Sequence, residues 1–411
     1  MSSPASVSLQ GAGAILRPPS DGLPYLRDAD AMRFEPGELR ITDGRIAGFE
    51  DDPDAAITID ATGMTVLPGL VDCHTHVPFS GWRETEYERK IAGVPYEQIS
   101  REGGGIASSA RSLRESSDEV VLAQSRALAG EMLAHGTTTF ECKSGYGLSR
   151  EGELRALRLA AELGVRQTTT STALLAHAVP PGHSADAWMD EVAAIVPELP
   201  RTVSALDIFV ESIAFGIGNL SRMGELARDA GLALRVHAEQ LSTMRSVVPA
   251  LAAGARSLDH LSAIDADDIA SLAAAECAAV LLPGAEFLGA EARAPARALL
   301  DAGAIVVLAT DLNPGTSPVL SLPLVIGLAV RLYGISTRAA LAATTLNAAW
   351  VLGLERALGS IETGKRADLV LLDGPAEQIA YRFGRNPVAV VIIAGEPAHV
   401  RPDAEWRLRS R

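Results

Sequence analysis

The sequence predicts an α/β protein: a (β/α)8 barrel of the TIM type, with a small β-sandwich beside it built from the N- and C-terminal segments. Three observations lead there. From about residue 120 a unit recurs in which an Ala/Leu-rich helical stretch stops at a glycine and a short apolar or β-branched run follows. Eight such runs can be counted, and no G-x-G-x-x-G follows the first, so nothing supports an open dinucleotide-binding sheet. The two ends of the chain, by contrast, hold short alternating runs with no long helix between them.

Residues 1–66 contain "GELRITDGRIAGFE" and "AAITIDATGMTVLPG", and residues 361–411 contain "KRADLVLLDG" and "PVAVVIIAGEP". All four read as antiparallel strands, and their shared character predicts that they pair into one domain, with two independent β-appendages as the alternative, leaving 67–360 to the barrel. Barrel strands are expected around 67–76, 137–142, 168–177, 206–211, 232–237, 256–260, 278–282 and 304–310. Between them, segments such as "MGELARDAGLALRVHAEQ" and "PARALLDAGAIVVLATDLNPG" place glycine where a helix C-cap belongs.

Composition narrows the partners. At 47% hydrophobic and 21% charged, 411 residues suffice for a large core. A net charge of −15 argues against nucleic acid and anionic membranes as partners. Cys73, Cys142 and Cys277 are too scattered for a disulfide framework. The first residues lack a basic, then apolar, leader pattern, and the longest apolar run, "VLSLPLVIGLAV", is broken by Ser321 and Pro323 and too short to span a bilayer. The expectation is a cytoplasmic protein acting on a small molecule.

The chemistry follows from what ends the strands. His74 and His76 alternate onto one face at the close of the first strand. His177 ends the third strand, His237 the fifth, His260 the sixth and Asp311 the eighth. Five of the chain's eight histidines therefore fall at the end where barrels place their chemistry, whereas His135, His183 and His399 do not. Three imidazoles and a carboxylate suit a catalytic Zn2+ or Fe2+ that keeps a site open for water. His74, His76, His237 and Asp311 are the expected ligands. Such an ion brings the pKa of water toward neutrality; Asp311 can take the proton, and His260 can bond the hydroxide or the reacting carbonyl oxygen. A second ion would need a bridging ligand, often a carboxylated lysine ending the fourth strand. That strand ends in Glu211, and Lys143 stands at the end of the second strand as a supporting or loop residue, so one ion is expected. The glycines at 103–105 fit either an anion-binding nest at a helix start or a flexible loop.

These motifs resemble the amidohydrolase superfamily. The longer runs "GWRETEYERKIAGVPYEQISREGGGI", "ECKSGYGL", "LLAHAVPP", "RVHAEQLS" and "LATDLNPGTSP" resemble one family within it, the imidazolonepropionases, from about residue 65 to the C-terminus; the first sixty residues match weakly. The resemblance implies hydrolytic opening of 4-imidazolone-5-propanoate to N-formimidoyl-L-glutamate in histidine degradation. It also implies one divalent metal ion, zinc or iron with iron(III) also compatible, and a homodimer. Arg83 would hold the propanoate carboxylate or ring oxygen, Tyr146 and His177 the ring and its carboxylate, and Gln240 the ring, with Asn313, Gly315 and Thr316 lining the far side. Some relatives carry Glu three residues after the fifth-strand histidine; here the pair is Glu239-Gln240, and an amide transfers no proton. Asp311 and His260 are then the expected proton handlers, with Glu239 and Gln240 kept as candidates. A base deaminase, or a barrel of this type without turnover, is the alternative.

Overall fold

The computed structural model describes residues 6–94, 96–289 and 292–410. Eight parallel strands follow one another in chain order around a sheet: Leu70–Asp72, Thr137–Lys143, Thr168–Ala176, Val203–Val210, Ala233–Ala238, Ala255–His260, Ala278–Leu281 and Ile305–Leu308. Each pairs in parallel with the next. The eighth meets the first through a single bridge, Thr75 with Leu312, flanked by backbone bonds from Asp311 N to His74 O (3.0 Å) and His76 N to Leu312 O (2.9 Å). Closure therefore happens at the histidines themselves. Apart from the first strand, the expected strand ends agree to within three residues, the fourth strand starting earlier, at Val203.

Helices lie between the strands, started and stopped by local chemistry. Ser117, Ser149 and Ser184 each accept an N–H of the first turn, at the head of Asp118–Ala134, Arg150–Ala161 and Ala185–Ile195. At the far end of Ile217–Ala230, Gly231 takes φ +67°, a left-handed stop that Cβ-bearing residues resist. Strands covered by helices on one face and side chains on the other bury both faces, so Ala278–Leu281 and Ile305–Leu308 are uniformly apolar.

The terminal segments share one sheet of nine strands. Its longest member, Val7–Arg17, pairs antiparallel with Arg33–Thr42 on one side; on the other its first half pairs with Ile57–Asp60 and its second half with Thr65–Pro68. The C-terminal strands join at two places: Leu369–Leu372 against Thr65–Pro68 and Leu408–Ser410 against Ile57–Asp60. Both branches contribute to one apolar core, including Leu9, Ile41, Ile59, Val66, Leu371 and Ile392. No described helix is long and apolar enough to cross a membrane.

The expected strand 67–76 is in fact two. Thr65–Pro68 belongs to the terminal sheet and Leu70–Asp72 to the barrel, with Gly69 as the hand-over. The Gly69 N–H bonds Asp368 O at 2.7 Å, and a β-carbon there would stand 2.1 Å from Thr138 Oγ1 and 2.9 Å from Thr138 Cβ. The two sheets approach too closely for any side chain. Gly69→Ala is therefore expected to destabilise the protein by about 1–3 kcal/mol through overpacking. Gly218→Ala, in a helix with open space around it, should be neutral or stabilising by about 0.4–1 kcal/mol. Denaturant unfolding of the pair checks both; equal stabilities would refute the close approach.

Candidate active site

The strand ends converge on one cavity of ≈ 640 Å³, walled by His76, His177, His237, His260 and Asp311 at the bottom and by Arg83, Tyr146, Gln240, Asn313 and Thr316 higher up. His74 lies beneath, fully buried. One potential ligand atom each from His74, His76 and His237 lies within 4.8 Å of the others, and the same holds for His74, His260 and Asp311. Asp311 Oδ1 is 3.4 Å from His74 Nε2 and 3.3 Å from His76 Nε2.

The donor set fits a cation. His74 Nε2 and His237 Nε2 are sealed from solvent without a hydrogen-bond partner. Their other ring nitrogens are taken: His74 Nδ1 donates to Asp259 Oδ2 at 2.6 Å and His237 Nδ1 to Asp207 Oδ1 at 3.1 Å. A carboxylate behind each imidazole fixes the tautomer that aims a lone pair inward, the arrangement of metal-binding histidines. Burial pushes His76 down to about 4, against the pull of Asp311. Burial, reinforced by the His237 and His74 rings, likewise holds His260 well below its ordinary value. Burial alone would raise Asp311, yet the His74 and His76 rings beside it outweigh burial and keep that carboxyl well below its usual range. Imidazoles oriented by carboxylates, with His76 kept neutral beside an ionised aspartate, are a ligand set ready for a metal.

Beneath these rings lies a charged cluster that sequence reasoning missed. Arg235 donates to Glu141 Oε1 (2.5 Å), to Asp259 Oδ2 (2.6 Å) and to the Cys73 carbonyl (2.5 Å). Lys143 Nζ lies 2.6 Å from Asp207 Oδ2 and 3.0 Å from Glu141 Oε2. Lys143 is therefore no loop residue; it is fully buried and anchors the aspartate that orients His237. Glu141, Asp207, Asp259 and Asp311 set four carboxylates against the two cations, leaving two net negative charges that a divalent ion would cancel. A signal was present in the sequence, since charged residues interrupt runs that a parallel barrel otherwise keeps apolar.

The backbone at the strand ends is forced. His260 (φ +82°) and Asp311 (φ +56°) sit in the left-handed region without being glycine, each at a cost of about 1–3 kcal/mol. Asp72 helps hold the second, its carboxylate accepting Thr310 N–H (3.1 Å) and Thr310 Oγ1–H (2.6 Å).

Higher in the cavity several expectations are refined. Glu239 is corrected: its carboxylate accepts Met244 N (2.9 Å), Ser246 N (2.7 Å) and Ser246 Oγ (2.6 Å), so it staples its own loop and does not face the cavity. With φ +51°, that residue turns inward to the loop and leaves Gln240 on the cavity wall. Asn313 lines the cavity, but its amide is spent inside its turn, accepting from Gly315 N (2.9 Å) and Thr316 N (2.7 Å) and donating to Asp311 O (2.7 Å). Gly315 is not on the wall; the Arg83 guanidinium lies over it, 1.5 Å from where a β-carbon would stand. Buried Arg83 also meets Ser109 Oγ (3.3 Å) and Glu86 Oε2 (3.4 Å). Tyr146 rides on a loop whose amides at Gly145, Gly147 and Leu148 all donate to buried Glu153. His177 Nδ1 donates to Gly145 O at 3.0 Å. At 103–105, which fitted either an anion-binding nest or a flexible loop, Gly105 N donates to Glu86 Oε2 at 3.0 Å.

Comparison with known proteins fits this geometry. Residues 65–398 match the model of the amidohydrolase family. The imidazolonepropionase of Rubrobacter xylanophilus is 42% identical over 95% of this chain and 96% of its own, and that of Cupriavidus necator 41% identical over 92% and 95%. The chain belongs to the imidazolonepropionase family of amidohydrolases. Its likeness to those relatives thus reaches well into the N-terminal segment, beyond the residue 65 expected from motifs. Among solved structures, a zinc-bound adenosine deaminase from Xanthomonas campestris superposes with a TM-score of 0.70 at 20% identity over 97% of this chain and 94% of the deaminase. A guanine deaminase from C. acetobutylicum does so at 0.71 and 15%, over 95% and 99%. At such identities the likeness is one of fold. Amidohydrolases are metal-dependent hydrolases, and His74, His76 and His237 of this one can hold the metal.

Because Asp259 orients a ligand it does not replace, Asp259→Asn should weaken divalent-metal affinity roughly 10- to 100-fold. Chelator competition on folded protein reads this. His183→Gln, at an exposed ring away from the cavity, should leave the affinity unchanged. Equal affinities for the two variants would dismiss the orienting role.

Proposed function

We propose that this amidohydrolase opens the ring of 4-imidazolone-5-propanoate, adding water across the ring amide to give N-formimidoyl-L-glutamate in histidine degradation. The observation that supports it above others is one cavity uniting a metal-ligating cluster with a buried arginine, which suits a small substrate bearing both a hydrolysable amide and a carboxylate. The family relatives bear the name of that activity.

A single Zn2+ or Fe2+ (iron(III) is also compatible) on His74, His76, His237 and Asp311 would polarise the ring carbonyl and lower the pKa of water. The remaining work belongs to side chains of this chain. Arg83 pairs with the propanoate, and Tyr146 packs beside it. His177 is kept neutral by burial and by the His76 and His237 rings, and its Nδ1–H is committed to Gly145 O. Its Nε2 is therefore an acceptor, suited to a ring N–H more than to a carboxylate. Gln240 bonds the ring, and Thr316 bounds its far side.

The ionised Asp311 carboxylate accepts a proton from water as the water oxygen bonds to the ring carbonyl carbon. Neutral His260 bonds the developing oxyanion. The ring C–N bond then breaks, and the proton held by Asp311 passes to the departing nitrogen, directly or through His260. With Glu239 turned away and Gln240 unable to carry a proton, these two groups account for the transfer.

We also assign the enzyme to the cytoplasm, where three buried, unpaired cysteines are at home, and to a homodimer, which size exclusion would place near twice 43.0 kDa.

Purified, metal-replete protein should consume 4-imidazolone-5-propanoate and release N-formimidoyl-L-glutamate without ammonia. Asp311→Asn and His260→Ala, each assayed at matched metal content, should lose roughly 10²–10⁴-fold in kcat. Ammonia release from an aromatic base in place of ring opening would reject the assignment; near-normal rates in either variant would reject the proton route.

A further inference from the structure

Lys90 has no part in the reading above, yet it stands in the same cavity wall as Arg83. Arg83 is the N-cap of the helix Glu84–Ile91, and Lys90 lies seven residues on, about two turns, so both project from one face. Lys90 is half-buried. Its ammonium reaches across to the segment after the seventh strand, where a β-carbon on Gly289 would come within 2.5 Å of Nζ. Among the described residues no carboxylate lies within ion-pairing distance of it, whereas Arg83 keeps Glu86 at 3.4 Å. Burial, and next the Arg83 charge, lower its pKa. Two cations on one cavity wall, one of them with no carboxylate partner among the described residues, are an arrangement that a bound anion relieves.

We propose that Lys90 and Arg83 form a two-point clamp on the substrate's propanoate carboxylate, Arg83 gripping at depth and Lys90 at the rim. The charge of the whole chain gives the clamp its purpose. At −15 the protein repels an anion at long range, so a local pair of cations at the mouth must reverse the sign of the field there. Lys90 is in this sense a specificity residue, selecting acids over their neutral counterparts. The assignment rests on the proposed substrate only in naming the carboxylate.

The test separates the two. Binding of imidazole-4-propanoate and of its neutral primary amide is measured on metal-replete wild type, Lys90→Gln and Lys90→Arg. Wild type and Lys90→Arg should prefer the acid, and Lys90→Gln should lose about tenfold of that preference. Amide binding serves as the check that Lys90→Gln is folded. In turnover, the loss should fall on KM more than on kcat, and the salt dependence of kcat/KM should flatten. An acid-to-amide ratio unchanged in Lys90→Gln would overturn the clamp. A Lys90-dependent ratio in a protein that does not open the imidazolone ring would uphold the clamp and reject the proposed reaction.

Discussion

Ionised side chains cannot be placed inside a protein singly; each must meet an opposite charge or a set of donors. Everything at the mouth of this barrel depends on that constraint being met one layer below. Arg235 and Lys143 pair with Glu141, Asp207 and Asp259, and only then can two of those acids serve as acceptors for His74 and His237. His74 and His237 are in turn fixed in the orientation that turns their other ring nitrogens to one point. Desolvation favours raising Asp207 and Asp259, but the cations, with His237 and His74, prevail and hold both below their usual range. The ligand geometry is thus an electrostatic product of the strand interiors and not of the loops.

The loops obey a related rule. Chain leaving a strand exposes amides that lack ladder partners, and here acids supply them. Glu153 collects the amides ahead of its helix, Glu211 those of Leu241 and Ser242, Glu239 those of Met244 and Ser246, and Glu86 that of Gly105. Charge-assisted bonds of this kind are stronger than neutral ones, which lets irregular backbone keep a defined wall around the cavity. It also explains why an acid next to the active site need not take part in its chemistry.

Much of this was legible beforehand, and the limits are instructive. Helix–glycine–strand repetition announced the barrel, because a left-handed helix stop and an apolar run are both local. The ligands were legible because histidine is scarce and its positions coincided with strand ends. Asp207, Arg235 and Asp259 went unread, since their meaning lies in cross-strand pairing, with Arg235 beside Ser257 and His237 beside Asp259 in register. Glu239 could not be placed because a single left-handed φ decides which way it points. Lys90 has no signal of its own in the sequence, because only the fold brings the segment after the seventh strand against it.

The hand-over at Gly69 gives the terminal sheet a part in the chemistry without touching the substrate. One residue separates Pro68, paired to Leu369, from the strand that delivers His74 and His76. With no slack between them, the sheet works as an abutment against which the first two ligands are braced, and the two bodies cannot hinge independently. An ornament hung on a barrel could be shed; a foundation poured in the same piece as the hearth cannot.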